Sequence, residues 1–235
     1  MEFKKLSAPS LKELFVQQLE SMILSGRLEI GAKLPPEREL AEGMQVSRAV
    51  VNAGINEMAA KGFLEIRPRI GAYVADYHRK GTAETLLSIM KYNGGRLRKE
   101  EIRSILELKD TLDRLAVSLL IPKVTDDEVA QLRGHYLAMC AARDAEKVAD
   151  AVFDFHHDMT VFSGNTLLPL IYQSFRAPIL NLWERYCRKH GAETLCRNTG
   201  VLIDAIGRRD TEAAMQSIRA AIDDAIRGTT QIYSE

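Results

Sequence analysis

The sequence predicts a mainly α-helical chain in two parts, with a single β-hairpin closing the first. Three observations carry that expectation. Between residues 34 and 74, two short amphipathic helices joined by a tight turn are followed by two short apolar runs around a basic tip. That order describes an N-terminal winged helix-turn-helix with a small β-hairpin wing. From residue 98 onward, apolar positions recur at three-to-four spacing in one segment after another, with no alternating strand pattern, which describes a C-terminal all-α helical bundle. Finally, 235 residues at 46% hydrophobic and 27% charged can bury one or two sizeable cores. The expected division is a DNA-binding domain at 1–77, a linker with a short helix at 78–97, and a helical domain at 98–235.

Residues 1–10 are polar, contain Pro9, and read as a disordered lead-in. From Leu11, the positions Leu14, Phe15, Leu19, Met22 and Ile23 share one helical side, ending near Ser25-Gly26. Leu28, Ile30 and Gly31 form an extended link. Pro35 and Pro36 fix an extended stretch and then a first helical turn, where proline is tolerated. A short helix over 37–42 turns Leu40 and Ala41 inward, and Gly43 is expected to end it. Ser47 is placed to cap the next helix, whose Val50, Val51, Ile55 and Met58 lie on one side; Gly62 closes it. The apolar runs 63–66 and 72–74 are strands, joined by Arg67-Pro68-Arg69-Ile70-Gly71.

The stretch 75–82 is polar and reads as a hinge containing an exposed His78, followed by a helix at 83–91 and a loop at 92–95. Ile102, Ile105, Leu106, Lys109, Leu112, Leu115, Ala116 and Leu119 define a long helix stopped by Pro122. Thr125 and Glu128 form a capping-box pattern that opens a helix through Leu132, Tyr136 and Met139. Val148, Val152, Phe155, Met159 and Phe162 mark a helix over 145–163, ended by Gly164-Asn165. A helix at 167–186 is expected to break or bend near Pro178, and helices at 192–207 and 212–233 complete the bundle.

Composition narrows the function class. No apolar run approaches about 18 residues, so no membrane span is expected, and the N-terminus lacks a secretory pattern, so a cytoplasmic protein is expected. Cys140, Cys187 and Cys196 have no metal-finger spacing and read as reduced packing residues. Charge argues against a simple basic DNA binder: the whole chain balances 32 Lys+Arg against 32 Asp+Glu. In residues 1–78, five Lys and five Arg face nine Glu and one Asp. DNA contact must therefore rest on where cations sit rather than on their number.

The first part resembles the DNA-binding domain of the GntR family of bacterial transcription regulators. The resemblance is carried by Leu34-Pro35-Pro36-Glu37-Arg38-Glu39-Leu40-Ala41, Val46-Ser47-Arg48, Ala60-Lys61-Gly62 and Gly71-Ala72-Tyr73-Val74. Arginine at the start of a recognition helix can donate two hydrogen bonds to guanine O6 and N7, and Arg48 stands there. The resemblance gives DNA contact to Arg38 and Arg48. Many relatives carry a third arginine where this chain has Asn52, whose amide suits adenine, so the operator is expected to differ. Arg67 and Arg69 on the wing are expected to meet phosphates or the minor groove. Ser47 and Gly71 complete the candidate DNA-facing set.

The second part resembles the FCD ligand-binding domain of the FadR subfamily, through Glu107-Leu108-Lys109, Phe155-His156, Ser163-Gly164-Asn165, Asp204-Ala205-Ile206 and Asp210-Thr211-Glu212-Ala213-Ala214. Many such domains hold a metal with one carboxylate and three histidines. Position by position only His156 matches; Val152, Thr199 and Ala221 occupy the other three places. No metal or other cofactor is expected, and the pattern resembles the metal-free branch. Candidate effector contacts are Lys109, where relatives place a carboxylate-pairing arginine, with His156, Arg176 and Arg185. Tyr172, Phe175, Trp183 and Tyr186 read as core or dimer packing, and His156 has no partner identifiable in the sequence, so an enzyme is not expected. The resulting expectation is a homodimeric regulator, a repressor of its operator, modulated by a small organic-acid or acyl-type effector. Alternatives are a metal-dependent sensor of a small carboxylate, or an effector-less dimeric DNA-binding protein.

Overall fold

The computed structural model describes residues 8–92, 99–228 and 231–232. The first seven residues of the lead-in, residues 93–95 of the loop expected at 92–95, and Tyr233 lie outside these. Two compact units divide the chain, Met1–Arg96 and Leu97–Glu235.

The first unit runs α1 (Leu11–Leu24), α2 (Glu37–Met44), α3 (Arg48–Ala60), β1 (Leu64–Arg67), β2 (Gly71–Val74), α4 (Tyr77–Lys80) and α5 (Ala83–Tyr92). Ser10 and Glu13 close a capping box on α1, and Ser47 accepts the Val50 N–H at the start of α3. Phe15, Leu19, Val51, Met58 and Phe63 form a core between α1, α3 and the hairpin. The strands pair antiparallel from Leu64 with Val74 to Arg67 with Gly71. The extended link before α2 joins the same sheet, since Val74 donates to the Ala32 carbonyl and Leu34 to that of Ala72, each at 2.9 Å.

Gly43 does not end α2. The helix runs on to Met44, and Gln45 turns left-handed at φ 52°. A polar side chain can adopt this conformation at a helix end, so glycine is not required. Glycine is required at Gly54 for a different reason. A β-carbon there would lie 2.2 Å from Cδ1 of the buried Phe15 ring, so α1 can seat its ring on α3 only across this residue. Gly54→Ala is expected to destabilise the first unit by about 1–3 kcal/mol despite alanine's better helix propensity, measured by urea unfolding.

The stretch expected as a hinge is folded. Ala75 is buried, Tyr77 of α4 packs on Phe63 at 5.4 Å, and Lys80 pairs with Glu65 at 2.7 Å. α5 then lies on α1, with Ser88 Oγ donating to Glu20 Oε1 at 2.8 Å and Thr85 to the Lys61 carbonyl. Alternating polar residues conceal these contacts in the sequence. His78 is exposed, as expected.

The second unit contains α6 (Lys99–Leu120), α7 (Asp126–Ala141), α8 (Ala145–Phe162), α9 (Leu168–Ser174), α10 (Arg176–His190), α11 (Glu193–Gly207) and α12 (Thr211–Arg227). The Thr125/Glu128 capping box forms on α7. Phe155 and Met159 of α8, Leu132 of α7, Ile203 and Ile206 of α11 and Ala214 of α12 meet Val117 and Leu120 of α6 in the core. The inward face of α6 is rotated from the expected stripe. Lys109, Asp113, Ala116, Val117 and Leu120 are buried, whereas Leu115 and Leu119 are 42% and 38% exposed. The break in 167–186 falls at Phe175, three residues before Pro178. Proline has no N–H to bond the carbonyl four residues back, so a new helix begins where that donor is not needed. α12 ends at Arg227, shorter than expected.

Candidate DNA-reading face and effector cavity

In the first unit, α2 and α3 place Arg38 and Arg48 on the surface. Arg48, the first residue of α3, is exposed and has no ion-pair partner among the described residues; Arg38 lies 3.6 Å from Glu42. Asn52, one turn further along α3, is held in place: its Nδ2 donates to Glu37 Oε1 at 3.0 Å and its Oδ1 accepts from Asn56 at 3.0 Å. Glu37, Asn52 and Asn56 share a cleft with Arg67, Arg69 and Gly71 of the hairpin. The Arg67 guanidinium lies 4.3 Å over the Tyr73 ring and pairs with Glu65 at 2.9 Å. Lys80 and then Arg67 hold the Glu65 carboxyl down at about 2. Arg69 sits exposed at the tip with φ 64°. The Ser47 hydroxyl is occupied as the α3 cap, and Gly71, at φ 131°, lets Lys33 pass the hairpin. All seven candidate residues thus fall on α2, on α3 and its N-cap, or on the hairpin.

In the second unit, a cavity of about 50 Å³ opens between α6, α8, α10, α11 and α12. Lys109 and His156 line it, and so do Val152, Thr199 and Ala221, the three positions where metal ligands would stand. Sequence reasoning missed Asp113. It is wholly buried, in a hydrogen-bonded ion pair with Lys109, and its Oδ2 is 3.2 Å from His156 Nδ1, which is itself 3.3 Å from Lys109 Nζ. The expectation that His156 lacks a partner is therefore corrected. Trp183 and Tyr186 are also in the cavity wall, not only in the core.

Arg176 and Arg185 are not in that wall. Arg176 reaches Asp150 on α8 at 2.7 Å and lies over the Phe153 ring. Arg185 falls between Trp183 and Tyr186 along α10, and successive residues diverge by about 100° around a helix. His135 pairs with Asp158 at 2.8 Å, and His190 lies 3.2 Å from the Gln231 carbonyl, so neither joins His156.

Burial works against the Asp113 carboxylate, but His156 and Lys109 more than offset it and hold its pKa below the ordinary value. Burial lowers the pKa of His156, with Asp113 pulling upward and Lys109 reinforcing the drop. At neutral pH this is a Lys109–Asp113 ion pair beside an uncharged imidazole. Because the folded His156 resists protonation, its contribution is complete above the unfolded value near 6.5 and declines as pH falls toward its lower folded value. The melting temperature is expected to fall with acidification below about pH 6.5, and a pH series on His156→Gln should show a shallower fall. Asp113 Oδ1 and Trp183 Nε1 are buried in the wall with no hydrogen-bond partner among the described residues. His156 stands with Val152, Thr199 and Ala221, and no group of three or more His, Cys, Asp or Glu able to hold an ion occurs among the described residues.

A winged helix-turn-helix joined to a helical bundle with an internal polar-and-apolar cavity defines a class of DNA-binding regulator with a sensory domain. Comparison with known proteins makes this specific. Residues 11–74 match the bacterial regulatory proteins of the gntR family, and residues 104–224 match the FCD domain. The chain belongs to the GntR family and carries an FCD domain; it is a DNA-binding transcription regulator, not an enzyme. It is 24% identical over 217 residues to the HTH-type transcriptional regulator LutR of Bacillus subtilis, covering 88% of this chain and 97% of that one. It is 22% identical over 221 residues to the Glc operon transcriptional activator of Escherichia coli, covering 88% and 84%. Among solved structures it resembles that of Lar from Listeria monocytogenes, with TM-score 0.63, 15% identity, and 94% and 97% coverage. No helix among the described residues is long and apolar enough to cross a membrane.

Proposed function

We propose that this regulator binds its operator as a homodimer in the cytoplasm, represses by occupying it, and releases it when a small organic effector enters the α6–α8–α10–α11–α12 cavity. The observation that carries the reading is the buried Lys109–Asp113–His156 cluster opening on a mainly apolar cavity, whose wall also carries Asn198, Thr199, Ser217 and Asp224. Few polar groups in an apolar pocket fix a ligand's orientation. A volume of about 50 Å³ suits a compound of a few heavy atoms and favours the organic-acid version over a long acyl chain. Lys109, although paired with Asp113, keeps further ammonium N–H donors for such an acid, and a wall with His156 beside Val152, Thr199 and Ala221 supports binding without a metal.

Dimerisation is supported by the outward face of α6, where Leu108, Leu115 and Leu119 are all exposed at spacings that share one helical side. A ligand that prefers one arrangement of the helical domains then shifts the pair of DNA readers. The test combines a thermal-shift screen of small organic acids with fluorescence anisotropy on operator DNA. The expected result is a compound that raises the melting temperature and weakens operator binding, with both effects absent in Lys109→Met. If no stabilising compound changes operator affinity, the effector-less reading replaces this one.

A further inference from the structure

Helices α7 and α11 are zipped antiparallel by a regular series of contacts. Asp126 pairs with Arg209 at 2.8 Å and Arg133 with Asp204 at 3.1 Å. Next, Gly200 faces the Tyr136 hydroxyl, since a β-carbon there would lie 3.1 Å from it, and Thr199 lies 3.9 Å from the Met139 sulfur. Each step down one helix is a step up the other, so the following rung sets Cys140 against Cys196. The two thiols are close enough for Cys140 to raise the pKa of Cys196, and Cys140 likewise raises that of the Tyr136 hydroxyl. Cys140 is exposed, Cys196 is half-buried, and Cys187 is buried on α10. Cys196 also adjoins the cavity, because Leu195, Asn198 and Thr199 of the same helix line it.

We propose that Cys140 and Cys196 form a redox-modifiable pair which a peroxide converts to a disulfide, fastening α7 to α11 beside the effector cavity. Burial and the Cys140 neighbour push the Cys196 thiol up to about 12, so the exposed Cys140 is the sulfur that reacts first. Its thiolate attacks one peroxide oxygen; the O–O bond breaks, hydroxide leaves and takes up a proton, and Cys140 becomes a sulfenic acid. The Cys196 sulfur then attacks the Cys140 sulfur. The S–O bond breaks, and the hydroxyl leaves as water with the Cys196 proton. Two electrons pass from the dithiol to one peroxide, and two waters form. Formation of the bond does not depend on the effector reading; its influence on the cavity does.

The experiment treats the full-length, pre-reduced protein with hydrogen peroxide, alkylates the remaining thiols, and maps peptides without reduction. A Cys140–Cys196 linked peptide with a loss of about 2 Da and an alkylated Cys187 supports the pair. Oxidation should raise the melting temperature, dithiothreitol should reverse it, and Cys140→Ser should abolish the response. In Cys196→Ser, Cys140 should accumulate as a sulfenic acid that dimedone traps. The proposal is overturned by stable oxygen adducts on Cys140 with Cys196 still alkylated, by links through Cys187 or between chains, or by no oxidation. A linked peptide with unchanged ligand and operator binding keeps the pair and removes its connection to the cavity.

Discussion

Arg48→Ala is expected to reduce operator affinity by at least about 30-fold and to bring specific and non-specific DNA binding close together. The reasoning starts from position. Ser47 caps α3 and leaves Arg48 exposed at its first turn, without an ion pair among the described residues to give up before meeting DNA. A bidentate arginine–guanine contact discriminates by about 1–3 kcal/mol, and a dimer would make it twice. Arg69→Ala, at the wing tip, should instead weaken all sequences alike and make the salt dependence shallower by about one ion per protomer. Anisotropy titrations on operator and scrambled duplexes at several salt concentrations separate the two. Unchanged sequence preference in Arg48→Ala would remove that residue from the reading role.

Asp113→Ala should produce the largest loss of stability. It removes the partner of a Lys109 ammonium that is only 4% exposed, and the neutral His156 beside it cannot compensate. Losing one member of a buried ion pair costs about 3–5 kcal/mol, whereas replacing both by apolar groups of similar shape can be neutral. The double variant Lys109→Met with Asp113→Leu is therefore expected to be more stable than Asp113→Ala alone. Urea denaturation of the three proteins decides it; a double variant that is the least stable would contradict the assignment of a mutually dependent pair.

Much of this architecture was legible because caps and periodicity are local properties. Ser47, the Thr125/Glu128 box and Gly164 fixed helix ends to within a residue or two, and the family resemblance located the reader. What escaped was set by distant contacts. Lys109 and Asp113 are four residues apart on a helix, which on sequence grounds is the signature of a solvated surface pair; only the packing of α8 and α10 makes it a buried one. The same packing decides that Trp183 and Tyr186 face a cavity while Arg176 faces Asp150. Gly54 lies inside α3, where glycine ordinarily weakens a helix, and only the Phe15 ring packed against it accounts for the residue. At α6, leucines at 115 and 119 were drawn into the core stripe because periodicity cannot distinguish the inner face of a bundle from an apolar outer one.

The pairing of cations within the first unit has a kinetic side. Lys12 and Lys61 are held by Glu57 and Glu20, Lys80 and Arg67 by Glu65, and Arg38 lies near Glu42. Among the described residues most cations of this unit thus already face a carboxylate, and sequence-independent adhesion to DNA grows with the number of phosphate contacts. A regulator built this way is expected to slide little along arbitrary duplex, to search by repeated dissociation and recapture, and to concentrate its residence where the bases themselves fit.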